Sequence, residues 1–308
     1  MTRSHESLIG SIDAEETRTA VSRRTFLRGA ATAVVGAGGV TALSGPAAAK
    51  SDSENAEAPD GYPRVSTRDH FDDNGSLVGG NTDQNYDVEG DLGSGELLLF
   101  VHGWNNDDAN DDDVNSAYEC QLALEQNGYG GNVAAYSWDS DKGDSWDLGW
   151  STAKDIAEKN GPKLANFVTD RSGPVRLVGH SLGARVAIFA LQSLEDDFGA
   201  ADAVESVTLV GGAIARDAPS LDAGWFDSEY GDHIEYATRQ FDNFYADDDE
   251  VLEYVFETRE FEDAVGEKGI DGPAPDNYTD VDVTAGIDAH GDYYKRDVGC
   301  VPQIVGQF

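Results

Sequence analysis

Along residues 96–305 the spacing of apolar side chains changes repeatedly, and each change predicts an element. Residues 96–101, Glu-Leu-Leu-Leu-Phe-Val, carry the continuous apolar run, after Glu96, of a buried parallel strand. After an acidic loop, residues 114–127 carry apolar positions at helical spacing. A strand over 132–138 and a helical region over 150–169 follow. Gly161-Pro162 is expected to interrupt that region, because proline lacks the N–H that continues the helical ladder. The strand at 175–180 passes directly into a helix whose apolar face carries Val186, Ala187, Phe189, Ala190 and Leu191. Strands are predicted over 204–210 and 234–245, and a helix opening near Asp249. A short strand over 281–284 and a last helix over 293–305 complete the series. Alternating strands and helices predict an α/β fold, a mostly parallel sheet covered on both faces. Upstream, residues 62–88 read as a hairpin turning at Asp72-Asp73-Asn74-Gly75.

The first 49 residues carry a different signature. Ser22-Arg23-Arg24-Thr25-Phe26-Leu27-Arg28 precedes a weakly apolar stretch over 29–43 and then Pro46-Ala47-Ala48-Ala49. That order is a twin-arginine signal with a small-residue cleavage site. The stretch is too short and too glycine-rich for a membrane span. The mature chain is expected to start near Lys50, with residues 50–61 a flexible polar linker. Residues 62–308 then form one domain, its N-terminal hairpin reaching to about residue 91. Recognition by the twin-arginine export machinery, a secreted or cell-surface location and no stable membrane span after cleavage follow as expectations.

Charge adds a constraint. Lys+Arg number 21 against 59 Asp+Glu, a formal net charge of -38, and the acids run along the whole chain. Such a surface repels itself at low salt. At molar salt the screening length falls to about 3 Å and the repulsion is largely lost. The composition therefore predicts a salt-adapted protein and argues against nucleic acid or anionic membrane as partner. Cys120 and Cys300 are too few for a disulfide scaffold or a zinc site; one bridge or two buried thiols fit equally.

Gly179-His180-Ser181-Leu182-Gly183 lies between a strand and a helix, the context of a nucleophile elbow. A serine hydroxyl needs a base, most often histidine. His5 falls in the signal and His70 in the amino-terminal extension. His102 and His180 stand on strand-end turns, and His233 opens a predicted strand. His290, in a glycine-rich loop after the last strand, can hang over the sheet's carboxyl edge, where open α/β sheets bind ligands. It is the expected base. Its carboxylate partner is sought in Asp247-Asp248-Asp249. Asp249, just before a helix beginning Val251-Leu252, is favoured, Asp248 is next and Asp217 third. Oxyanion donors are expected from the N–H of Leu182 and of Trp104, the latter in His102-Gly103-Trp104 after the first long strand. Trp104, His102 and His180 are expected at the substrate, His102 as an orienting group.

His102-Gly103-Trp104, Gly179 to Gly183, Asp249 and His290 stand in the chain order of the α/β-hydrolase superfamily, which residues from about 92 to 308 resemble. The pairing of Val101-His102-Gly103-Trp104-Asn105-Asn106 with Tyr136-Ser137-Trp138-Asp139-Ser140-Asp141 is similar to lipase- and esterase-like serine hydrolases. With its twin-arginine signal and acidity the chain resembles haloarchaeal-type secreted proteins. The resemblance implies the α/β-hydrolase fold, a sheet of about eight strands, and a triad of Ser181, His290 and Asp249. It departs from the pattern in setting the acid within three consecutive aspartates.

Trp104, Trp138, Trp146 and Trp150 could wall an apolar pocket or fill the core. The acidic run over 107–113 lacks EF-hand spacing and reads as solvated charge. No metal and no cofactor are expected. Asn74-Gly75-Ser76 and Asn277-Tyr278-Thr279 are sequons of the kind chance supplies. The expected activity is that of a carboxylic ester hydrolase taking a small-molecule or lipid ester through an acyl-enzyme on Ser181. A thioesterase, amidase or acyltransferase would use the same residues. The reading of a different class is a non-catalytic cell-surface binding protein on the same fold.

Overall fold

The structure is a computed structural model that describes residues 54–106, 111–143, 146–222 and 230–308. The expected signal segment, residues 1–49, lies outside the described residues.

Leu97, Leu99 and Val101 enter one apolar cluster, and Leu98 and Phe100 between them enter another. That period of two identifies a strand lying between two covering layers. The strands are β1 (Arg64–Ser66), β2 (Asp87–Glu89), β3 (Leu97–Val101), β4 (Asn132–Ser137), β5 (Val175–His180), β6 (Ser206–Val210), β7 (Phe241–Tyr245) and β8 (Tyr278–Asp282). They form one eight-stranded sheet in the order β2-β1-β4-β3-β5-β6-β7-β8. Every pairing is parallel except that of β2 with β1. One face is covered by α2 (Trp146–Asp170), α3 (Gly183–Asp196) and α4 (Gly231–Ala237). The other carries α1 (Asp112–Gln126), α7 (Val301–Val305) and Tyr293-Tyr294. Between β7 and β8 lie a π-helical turn (Leu252–Phe256) and the short helices α5 (Glu257–Glu260) and α6 (Val265–Lys268). This is an α/β-hydrolase fold, with β3, β5, β6 and β7 delivering their carboxyl ends to one edge.

Several local expectations give way to tertiary packing. Pro162 sits inside α2 without ending it. Gly161 lets α2 press onto α3, since a Cβ there would stand 2.5 Å from the Phe189 Cβ. Ile156, Leu164, Phe167 and Val168 are all buried along α2. Each such side chain contributes about 1.5–3 kcal/mol, together outweighing the roughly 3 kcal/mol that an interior proline costs. Residues 234–245 are not one strand: α4 ends at Ala237 and β7 starts at Phe241. Ile234 and Ala237, three apart, are both fully buried, so helical spacing decides the segment. His233 thus rides on α4, its Nδ1 2.8 Å from Glu195 of α3. The expected helix over 293–305 shrinks to α7. Residues 293–300 turn instead, with Asp297 left-handed at φ 67° and the Cys300 N–H donating to the Tyr293 carbonyl.

The amino-terminal region also differs. The turn at Asp72–Gly75 forms, its Gly75 N–H donating to the Asp72 carbonyl. Residues 55–58, expected within a flexible linker, are fastened to α1: Ala56 N–H donates to Glu119 and Ala58 N–H to Asn115. Cys120 and Cys300 are buried free thiols.

Candidate active site

β5 ends at His180, and the chain then turns at Ser181 with φ 54°. A non-glycine residue adopts this left-handed conformation only where its surroundings enforce it. Here the Ser181 N–H donates to the Val210 carbonyl at 3.2 Å, and the Ser181 carbonyl accepts from Ala184 and Ala213 at 3.1 and 2.9 Å. Both ends of the turn are therefore fixed to the end of β6 and the start of α3. The His102-Gly103-Trp104 loop leaves β3 beside it. A Cβ on Gly103 would lie 2.8 Å from the Ser181 Cβ and 3.3 Å from its Oγ, so only glycine lets this backbone pass the serine.

His290 approaches from the loop after β8. Its Nδ1–H donates to Asp249 Oδ2 at 2.7 Å. The ring's Nε2 is buried and has no hydrogen-bond partner. Its Cε1 lies 3.3 Å from the position a Cβ would take on Gly211, the residue next to the Val210 that holds Ser181. Serine and imidazole thus flank the same end of β6. Among the three aspartates, Asp247 and Asp248 are exposed and Asp249 alone is buried. Asp249 Oδ1 accepts the N–H groups of Val251 and Leu252 at 3.1 and 3.2 Å. Its Oδ2 also accepts the Tyr293 hydroxyl at 3.0 Å. Burial alone would raise the Asp249 pKa. The charge and hydrogen bond of His290, the Leu252 N–H and the Tyr293 hydroxyl outweigh it and hold the pKa below the ordinary carboxylate value. His290 pairs with Asp249, so neither Asp248 nor Asp217 takes that place.

His102, expected at the substrate, has its ring turned into the protein interior. It is fully buried, its Nε2 accepting the Trp138 backbone N–H at 3.1 Å and its Nδ1–H directed to the Gly103 carbonyl at 3.0 Å. With both ring nitrogens engaged it serves as scaffold, and burial pushes its pKa down to about 3. Trp138 stacks on it and returns an indole N–H to the His102 carbonyl, so Trp138 belongs to the core. His180 is likewise turned inward: its Nε2–H donates to the His290 carbonyl at 2.9 Å, and the two rings stand 4.8 Å apart. Burial, then the neighbouring His290, lowers its pKa to about 3. Trp104 remains half-buried, edge-on to the buried Trp150 at 5.2 Å. The Trp146 side chain lies outside the described residues.

The motifs over residues 101–106 and 136–141 are stitched together. Asn105 N–H donates to the Ser140 carbonyl and Asn106 N–H to the Ser140 hydroxyl, while Tyr136 OH donates to Asn160 of α2. Arg68 reaches Asp141 at 2.9 Å and the Asn106 carbonyl at 2.6 Å. Asp139 accepts the N–H groups of Asp69 and Phe71. The serine-rich acidic motif thus anchors the loop that carries Gly103 and Trp104. Asp113, at the end of the acidic run, is buried against Ser137 and Arg68 rather than solvated; residues 107–110 lie outside the described residues. Arg68, Asp113 and Tyr293 escape a reading of the sequence because no local pattern marks them.

Residues 140–305 match a family described as a protein of unknown function (DUF726). The chain belongs to the DUF726 family. A curated relative from Oryza sativa subsp. japonica, "Transmembrane and coiled-coil domain-containing protein STS1", is 32% identical over 170 residues, covering 53% of this chain and 24% of that protein. The DUF726 chain thus spans about a quarter of that relative's length. Among the described residues no helix is long and apolar enough to cross a membrane. Solved structures with a loose likeness include a lipase-esterase related protein from Clostridium acetobutylicum (15% identity, 71% of this chain and 95% of that one, TM-score 0.37). A pyrethroid hydrolase overlaps at 15% identity over 70% of this chain and 97% of that one, with a TM-score of 0.36. The fold assignment rests on the sheet order and the elbow.

Proposed function

We propose that this DUF726 protein is a serine hydrolase of carboxylic esters. The observation that carries the reading is the buried Asp249–His290 pair, its free Nε2 flanking the same strand end as a serine in a left-handed turn. Ser181 Oγ attacks the acyl carbon while His290 Nε2 takes the hydroxyl proton. Asp249, bonded to Nδ1–H, fixes the tautomer and stabilises the imidazolium. The N–H groups of Leu182 and Trp104 receive the oxyanion; one such donor contributes about 3–4 kcal/mol to the transition state. Collapse of the intermediate expels the alcohol, which takes the proton from His290 and leaves an acyl-enzyme. Water, deprotonated by the same nitrogen, then releases the carboxylic acid and restores Ser181.

The half-buried Trp104 supplies an apolar wall for the acyl group or the alcohol. The twin-arginine signature and the net charge of -38 support export and work in concentrated salt. The test is hydrolysis of p-nitrophenyl esters of increasing chain length in molar salt. Wild type releases p-nitrophenolate with a preferred chain length, and Ser181→Ala does not. Equal release by both proteins, or none by wild type, overturns the proposal.

A further inference from the structure

We propose that Tyr293 is a positioning residue that sets how strongly His290 holds its proton, by sharing the Asp249 oxygen on which His290 depends. The inference rests on the Ser181–His290–Asp249 reading above.

The Asp249 carboxylate receives four donors. Two backbone N–H groups occupy Oδ1, and His290 Nδ1–H and Tyr293 O–H share Oδ2 at 2.7 and 3.0 Å. Tyr293 is fully buried, and its carbonyl is tied down by the Cys300 N–H at 3.0 Å. A phenylalanine would fill the same space, so packing does not explain the hydroxyl. A buried hydroxyl without a partner is costly, and this one is satisfied by the carboxylate that orients the base. Its own pKa is raised far above the ordinary phenol value, first by burial and then by the charge of Asp249, so it acts as a neutral donor.

An oxygen divided between two donors offers less charge to each. With the phenol in place, imidazolium is stabilised less than it would be by an undivided carboxylate, and His290 returns its proton more readily to a leaving group. The titratable groups facing His290 are few. Asp249 comes from the loop after β7, His180 from the elbow, and Tyr293 from its own segment. Lys295, ion-paired with Asp292 at 3.3 Å, has its Nζ 4.0 Å from the position a Cβ would take on Gly291, beside His290, and the Cys300 thiol donates to the Tyr293 carbonyl at 3.4 Å. Gly211 stands just after β6, and α6 presents the Gly266 carbonyl, 3.5 Å from the Tyr293 hydroxyl. Lys295 and Asp292 offset each other and His180 stays neutral down to about pH 3, while the divided carboxylate is bonded to the His290 ring itself.

The experiment compares wild type with Tyr293→Phe, measuring the rate of inactivation by a fluorophosphonate against pH in molar salt. The acid limb moves up by about half to one pH unit, because imidazolium gains the charge the phenol had drawn. The plateau above that limb is read from the same profile. An acid limb that does not move overturns the proposal, and so does a plateau that collapses with the limb in place. 3-Fluorotyrosine in place of Tyr293 keeps the ring and strengthens the donor, so the limb moves down; an upward or absent shift counts against the inference. Failure of the hydrolase reading is distinguishable, since wild type would then not label at all. NMR titration of the His290 ring in Ser181→Ala, with and without the added Tyr293→Phe substitution, reads the same shift without turnover. A ring that titrates at higher pH once the hydroxyl is gone supports the inference, and an unchanged titration overturns it.

Discussion

Replacing Gly183 by alanine sets two effects of opposite sign against each other. Gly183 is the first residue of α3, and alanine is the better helix former by about 1 kcal/mol at most. The added Cβ would meet the Val101 carbonyl oxygen at 2.2 Å and that of His102 at 2.8 Å. Both oxygens belong to backbone at the end of β3, which is held between β4 and β5, so neither can swing aside as a side chain would. Overpacking of this kind costs about 1–3 kcal/mol, and more where backbone has to move. The clash prevails, with a net loss of about 1–2 kcal/mol and a Tm lower by about 2–8 °C for a domain of this size. Displacing the end of β3 also carries Gly103 away from Ser181. Because a misplacement of about 1 Å can cost on the order of 100-fold in rate, ester hydrolysis falls by at least about tenfold. Thermal unfolding followed by circular dichroism in molar salt, with initial rates on a p-nitrophenyl ester, reads both effects. A higher Tm together with an unchanged rate would refute the reasoning, since it would mean that the helix gain had won and the contact was slack.

Asp249→Asn should lower ester turnover by roughly four orders of magnitude through loss of the productive tautomer, whereas Asp248→Asn, on an exposed side chain, should leave it unchanged; initial rates decide. His102 and His180 both stay neutral in the fold to about pH 3 against an ordinary value of 6.5. The unfolded chain therefore binds protons that the fold refuses, so stability is complete above pH 6.5 and is lost as the pH falls toward 3. At pH 5 each histidine should cost about 2 kcal/mol, seen as a lower urea midpoint than at pH 8 at constant salt. Burial raises the pKa of both thiols, that of Cys300 to about 12. A thiol reagent should accordingly find two cysteines in urea and none in the native protein, and a zero count in urea would instead mean a bridge.

The parts of the site visible in the sequence are those that depend on neighbours in the chain. A strand–turn–helix with glycines on both sides of Ser181 is local, and so is Asp249 standing two residues before Val251, where its carboxylate can accept helical N–H groups. The alternation of strand and helix likewise predicts the sheet. What stays hidden depends on contacts across the fold. Pro162 reads as a breaker until the buried face of α2 is weighed against it, and residues 234–237 read as strand until Ile234 and Ala237 are seen to share a buried side. His102 and His180 look like substrate contacts because they sit at strand ends, yet each turns its ring inward to hold a loop. Tyr293 gives no local signal: its partner lies 44 residues upstream.

The central claim is tested most directly by mass spectrometry of the protein in molar salt after exposure to a fluorophosphonate. The account predicts one phosphonyl adduct, found on the peptide that contains Ser181 and lost in Ser181→Ala. No adduct on the wild type, or one that survives that substitution, would contradict it.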